Sequence, residues 1–136
     1  MFKIAPIQDE NTQKAYAEAC GAEFCPGLFA YSMIDQETHE LMGFSQFEIS
    51  KEFGYIRDLR PRIGYSDFEA MFILGRATMN FIDLCDVHTC RAAKDSGEEI
   101  LIKAIGFKYS DEYSAYVCDM TGMFDGHCDG HKVELE

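Results

Sequence analysis

The hydrophobic positions of this chain fall into short blocks divided by polar or glycine-containing turns, with one long helical repeat at the centre. Lys3 to Ile7 is a short apolar strand stopped by Pro6. QDENTQKAYAEACG then reads as a helix, with acidic residues at its start and Gly21 past its end. LFAYSMI, LMGFSQFEI and a strand over Tyr55, Ile56 and Leu59 are divided by DQETHE and SKEFG, which predicts a meander of antiparallel strands. Alternation is only partial, at Phe44, Phe47 and Ile49. Pro61 and Gly64 break the backbone before Ser66 and Glu69 offer a capping box. From Phe68, apolar residues at Met71, Phe72, Gly75, Met79, Ile82 and Cys85 recur every three or four positions, so the longest helix should lay that face on a sheet, with Gly75 allowing close approach. HTCRAA reads as a short strand. Ser96 and Glu99 form a second capping box opening the helix EEILIKAI, which ends at Gly106, and Ser110 to Glu112 turn into a last strand over Tyr113 to Met120.

With 136 residues, 47% of them hydrophobic, the chain is expected to form one domain around a real core. No window approaches the roughly 20 apolar residues of a membrane span. The N-terminus MFKIAPIQDEN lacks a basic region followed by an apolar run, so a cytoplasmic location is expected. A formal charge of -12 argues against nucleic acid or an anionic membrane as partner and favours cationic substrates. Against that background Arg57, Arg60 and Arg62 cluster, either as a local anion site or as partners of surface acids. The 6 cysteines are expected to be reduced and partly buried. His127, Cys128 and His131 come together in the tail, but the Cys and His spacings lack paired metal-ligand sets, so no bound metal is expected.

Gly54 to Asp86 reads as strand, loop and helix, and the first amides and positive dipole end of such a helix suit an anionic phosphate, although most helix ends bind only their own cap. Within this stretch, Ile56, Asp58 and Leu59 resemble the fourth strand of the GNAT superfamily of acyl-CoA N-acyltransferases, and Leu74 and Ala77 match its following helix. Gly106-Phe107 resembles the phrase that follows the family's last helix. The family's pyrophosphate loop is not matched, since Ser66, Glu69 and Met71 stand where it carries Gln or Arg, Gly, and Gly or Ala. Ile102 and Asp95 stand in place of its usual tyrosine and asparagine, and AEFCPG replaces the second helix that normally walls the acceptor.

The resemblance covers about residues 1 to 120, with residues 121–136 as a tail. Met123 and Phe124 call for burial there, by folding back or by docking on another subunit as in a homodimer. It implies an α/β (mixed α+β) fold, a mixed and mostly antiparallel sheet flanked by helices in the order β-α-β-β-β-α-β-α-β. It also implies acetyl-CoA as co-substrate, held around Leu59, Arg60, Arg62, Gly64, Tyr65, Ser66, Asp67, Phe68 and Asp95, and an amine as acceptor. Glu48 and Asp58 are the carboxylates available as general base, and Tyr109, Tyr113 and Cys118 are the alternative proton donors. Tyr31, His39, Gln46 and Glu48 are possible acceptor-side groups. A GNAT-like module without catalysis and a metal or thiol-redox protein are the other readings.

Overall fold

The computed structural model describes residues 1–125. In chain order the elements are β1 (Phe2–Pro6), α1 (Glu10–Ala19), β2 (Phe29–Asp35), β3 (Leu41–Ile49), β4 (Gly54–Pro61), α2 (Phe68–Leu84), β5 (Thr89–Ala92), α3 (Glu99–Ala104), β6 (Lys108–Ser110) and β7 (Ala115–Asp119). The strands form one sheet in the order β1-β2-β3-β4-β5-β7-β6. Every neighbouring pair is antiparallel except β4 and β5, which α2 joins as a parallel crossover. The mixed, mostly antiparallel sheet that the sequence implies is therefore the one observed. It closes on a hairpin rather than a single strand, because β6 pairs with β7 directly after Phe107. Three residues are too few for a hydrophobic pattern to announce.

α2 crosses one face of the sheet and packs against β1 to β5. Its buried positions are Ala70, Met71, Leu74, Gly75, Ala77, Thr78, Met79 and Ile82. That stripe is wider than the periodicity suggests, since a helix lying centrally on a sheet also buries the small residues flanking its apolar ridge. Phe72 is only half-buried, and Cys85 is the exposed C-cap. At Gly75 a Cβ would meet Ile105 Cδ1 at 2.9 Å and Leu59 Cδ2 at 3.0 Å, so glycine sets how closely α2 approaches β4 and the end of α3. Tyr31 and Phe47 stack at 5.7 Å, and Phe81 of α2 meets both rings edge-on. Burial pushes the Tyr31 phenol up to about 12. α1 covers part of the opposite face through Ala17 and Cys20 on Leu41 and Phe44. Met123 and Phe124 fold back onto the main core, whereas His127, Cys128 and His131 lie outside the described residues. No helix among the described residues is long and apolar enough to cross a membrane.

Both expected capping boxes are replaced. At α2 the cap is Asp67, whose Oδ1 accepts from Ala70 N at 3.0 Å, so the acceptor sits one residue later than Ser66. At α3 the helix begins at Glu99 with Glu98 as N-cap, and no side chain accepts from its amides. Ser96 lies too far upstream to cap, and its hydroxyl is buried without a partner.

Asp67→Ala should therefore destabilise the fold by about 1 kcal/mol, the usual worth of an N-cap, while Ser66→Ala should change stability by less than about 0.5 kcal/mol. Urea unfolding of the two variants checks this, and equal effects would restore Ser66 as the cap.

Candidate functional site

The register between β3 and β4 slips at one point. Gln46 faces Asp58, but Phe47 faces Ile56, so Arg57 is an extra residue that bulges β4. Before the bulge β4 pairs with β5 from Gly54–Cys90 to Ile56–Ala92, and Ala93 N donates to Ile56 O at 2.9 Å. Beyond it β4 runs on to Pro61 while the chain leaves β5, and the two strands part. The edge of β4 exposed by this parting is not bare. Leu59 N donates to Ser96 O at 2.7 Å, so the loop between β5 and α3 returns to take that amide. Gly97 lies so close that a Cβ there would overlap Leu59 O, a backbone atom. Two residues further along the same edge, Pro61 has no N–H to offer.

Around the bulge, the charges are paired and one of them is buried. Asp58 is 1% exposed. Its Oδ2 accepts from Gln46 Nε2 at 2.9 Å and its Oδ1 from Arg60 Nε at 2.9 Å. Gln46 is itself fixed, accepting from Gln13 Nε2 at 2.9 Å and Cys25 N at 3.2 Å and donating to Glu23 O at 3.0 Å. Arg60 also donates to the Asp95 carbonyl, and Arg57 pairs with the Asp95 carboxylate at 3.7 Å. Arg62 Nε donates to Leu41 O at 2.7 Å, with its guanidinium against the Tyr65 ring and 3.9 Å from Glu40. All three arginines expected to attract a phosphate are thus engaged within the chain.

The structure brings Asp58, Leu59, Arg60 and Asp95 together at the bulge, and Arg62, Gly64, Tyr65, Ser66, Asp67 and Phe68 along the turn into α2. Tyr65 N closes that turn on Arg62 O at 2.9 Å, and Gly64 has a φ of 86°. The positive end of α2 already meets its own Asp67 cap and carries Glu69 in its first turn.

Glu48 lies apart from this group, on the other side of the bulge. It lines a cavity of about 290 Å³ with Phe53, Tyr55, Arg91, Tyr113, Ser114 and Ala115. Burial holds the Tyr55 phenol above its ordinary range. The 48–55–91 row follows from strand register, because Glu48 pairs with Tyr55 and Tyr55 with Arg91.

Solved proteins share this architecture, two acyltransferases by name among them. A Klebsiella pneumoniae protein assigned as an acyl-CoA N-acyltransferase superposes with a TM-score of 0.60, covering 88% of this chain and 98% of its own at 15% identity. The PaiA N-acetyltransferase of Thermoplasma acidophilum, solved with coenzyme A, superposes with a TM-score of 0.53, covering 78% of this chain and 65% of its own at 12% identity. The chain has the GNAT fold. No family model and no curated protein matches the sequence.

Ile102, which the sequence resemblance aligns with a proton-donating tyrosine, is fully buried. Among the alternative donors, Tyr109 packs edge-on to Tyr116 at 5.4 Å, Tyr113 stacks on Arg91, and burial raises the Cys118 thiol. Tyr31 and Gln46 are buried and committed, and His39 sits in the β2–β3 turn with a φ of 62°. Among the described residues no three His, Cys, Asp or Glu side chains converge as a metal would require. Cys20 is buried and its thiol pushed up to about 12 by burial, so it is inert as a nucleophile. Sequence reasoning missed Gln13, Phe53 and Arg91. Gln13 reads as an ordinary helix-surface residue, and Arg91 gains its neighbours only through pairing with β4 and the turn before β7.

Gly97→Ala should force the Ser96–Gly97 segment off β4, because the atom it would strike is backbone and cannot rotate away. The expected result is faster hydrogen exchange at the Leu59 amide and a stability loss of about 1–3 kcal/mol. An unchanged Leu59 exchange rate would show that the loop does not guard that edge.

Proposed function

We propose that the chain is a GNAT-type N-acetyltransferase that moves an acetyl group from acetyl-CoA to a primary amine. The observation that carries this reading is the bulge at Arg57 followed by the parting of β4 from β5, which provides a strand edge for an extended ligand. A protein of the same fold was solved with coenzyme A, which supports a CoA thioester as the occupant. In this reading the pantetheine lies along β4 at Leu59, bordered by Arg60 and Asp95. The pyrophosphate sits at the turn formed by Arg62, Gly64, Tyr65, Ser66, Asp67 and Phe68.

Ser96 O competes for the Leu59 amide. A backbone hydrogen bond has a net worth of about 1 kcal/mol, and a ligand carbonyl would replace the one it displaces. Withdrawal of the loop is therefore a near-even exchange in hydrogen bonding, and weak binding follows rather than exclusion. Pro61 and the acids Asp67 and Glu69 weaken it further.

In the reaction the neutral amine forms a C–N bond to the thioester carbon, the C–S bond breaks, and CoA leaves as a thiolate. The proton released from nitrogen passes to a base. Glu48 is the better placed of the two carboxylates for this, since it lines the open cavity, whereas both oxygens of Asp58 are hydrogen-bonded to neighbours and hold the bulge in shape. With Ile102 in the donor's place, water protonates the thiolate. Rate then comes mainly from positioning and from the Leu59 amide facing the developing oxyanion once Ser96 has withdrawn.

The occupied Leu59 amide, the missing Pro61 N–H and the engaged arginines favour a second reading, a GNAT-fold binding module without catalysis. Calorimetry with CoA separates the two. The transferase reading expects weak, saturable binding and thiol release from acetyl-CoA with a primary amine. It also expects Pro61→Ala to tighten CoA about fivefold by restoring a donor, and Glu69→Gln to tighten it by a few tenths to about 1 kcal/mol. No heat at millimolar CoA, with wild type and Pro61→Ala alike, would leave the module.

A further inference from the structure

Arg91 carries a buried guanidinium nitrogen that the described residues leave without a partner. Its guanidinium carbon lies 4.0 Å from the centroid of the Phe53 ring and 4.0 Å from that of Tyr113, so the group is clamped between two aromatic rings. Its Nε is buried and has no hydrogen-bond partner. Among the described residues no carboxylate stands within ion-pairing distance of it, although the chain carries 24 acidic residues against 12 basic ones. Arg57, Arg60 and Arg62, by contrast, each lie against a carboxylate. Leaving a buried guanidinium N–H unsatisfied is costly, and such a group acquires a partner where one is offered. The clamp fixes the plane of the guanidinium, and a planar fork of this kind matches a carboxylate with two parallel hydrogen bonds.

The same cavity holds a carboxylate at its other side. Glu48, Tyr55 and Arg91 form one cross-strand row, which places Glu48 and Arg91 two strand spacings apart, about 10 Å between backbones. Opposite charges in one cavity of about 290 Å³, too far apart to neutralise each other directly, complement a ligand carrying both signs. We propose that this cavity binds a small amino acid or ω-amino acid, its carboxylate on Arg91 and its ammonium toward Glu48. Phe53 and Tyr113 hold the arginine and wall the ligand, and the phenol of Tyr55 lies between the two poles. The cavity lies across the Arg57 bulge from the α2 loop. If the transferase reading holds, such a ligand is the acceptor, and this assignment of substrate class rests on that reading; the binding itself does not.

The test is a titration of the whole protein, without CoA, with glycine, β-alanine and 4-aminobutyrate, followed by amide and arginine side-chain NMR. Saturable shifts at Glu48, Tyr55, Arg91 and Tyr113 are expected for at least one of the three. Butyrate and n-butylamine, which carry one charge each, should bind at least about tenfold more weakly than 4-aminobutyrate if that length is preferred, and at least as weakly beside the best binder otherwise. Arg91→Lys keeps the charge but loses the fork, and Glu48→Gln removes the ammonium's partner; each should weaken binding about tenfold while the rest of the spectrum shows the native fold. Absence of saturation for all three amino acids, equal binding of the singly charged controls, or indifference to both substitutions would overturn the proposal. Binding without acetyl transfer from acetyl-CoA would instead leave the amino-acid site standing and count against the transferase reading alone.

Discussion

A single buried carboxylate holds the centre of this molecule in place. Asp58 sits at the bulge of β4, and its two oxygens reach Gln46 of β3 and Arg60 further along β4. Through Gln46 it is linked to Gln13 of α1 and to the backbone at Glu23 and Cys25, and through Arg60 to the loop between β5 and α3. Asp58 is the buried member of its pair with Arg60, so removing Arg60 would strand its charge in the interior, which is costly for a domain of ordinary stability. The shape of the bulge, the seating of α1 and the approach of the Ser96–Gly97 loop are therefore one problem with one solution.

That coupling bears on function. Beyond the bulge, the chain uses the space beside β4 to satisfy itself. Leu59 donates to Ser96, Pro61 has nothing to donate, and the nearby arginines serve carboxylates and carbonyls of the chain. Each contact is individually modest, of the order of 1 kcal/mol. Their sum is an edge of β4 that the chain itself closes. On the other side of the bulge the balance is reversed, since Arg91 and Glu48 face a cavity with their charges unneutralised. The two stretches of β4 thus differ, one closed by contacts within the chain and one lining an open cavity.

The local elements were legible because each depends on residues close in sequence. β3 was read over its observed span, Leu41–Ile49, because polar turns bound it on both sides. α2 was read from Phe68 because its apolar repeat is long and Pro61 and Gly64 precede it. The helix caps were misjudged by a residue or more because Ser66, Asp67, Ser96 and Glu98 all belong to residue types or positions that a cap could use, and only the path of the chain selects among them.

What the sequence by itself determined was therefore the order of strands and helices as far as α3, the single sheet they imply and the fold that this order resembles. Tertiary structure alone decided which polar groups were already committed. Arg57, Arg60 and Arg62 look in sequence like an anion site, but pairing β3 with β4 and bringing Asp95 back across β4 gives each of them a partner. Arg91 looks ordinary, and parallel pairing with β4 places it between Phe53 and Tyr113, 38 residues before it and 22 after it in the chain. Backbone propensity and periodicity act over a few residues and can be read along the chain. The satisfaction of a buried charge depends on which distant groups the fold delivers to it, and no local pattern records that.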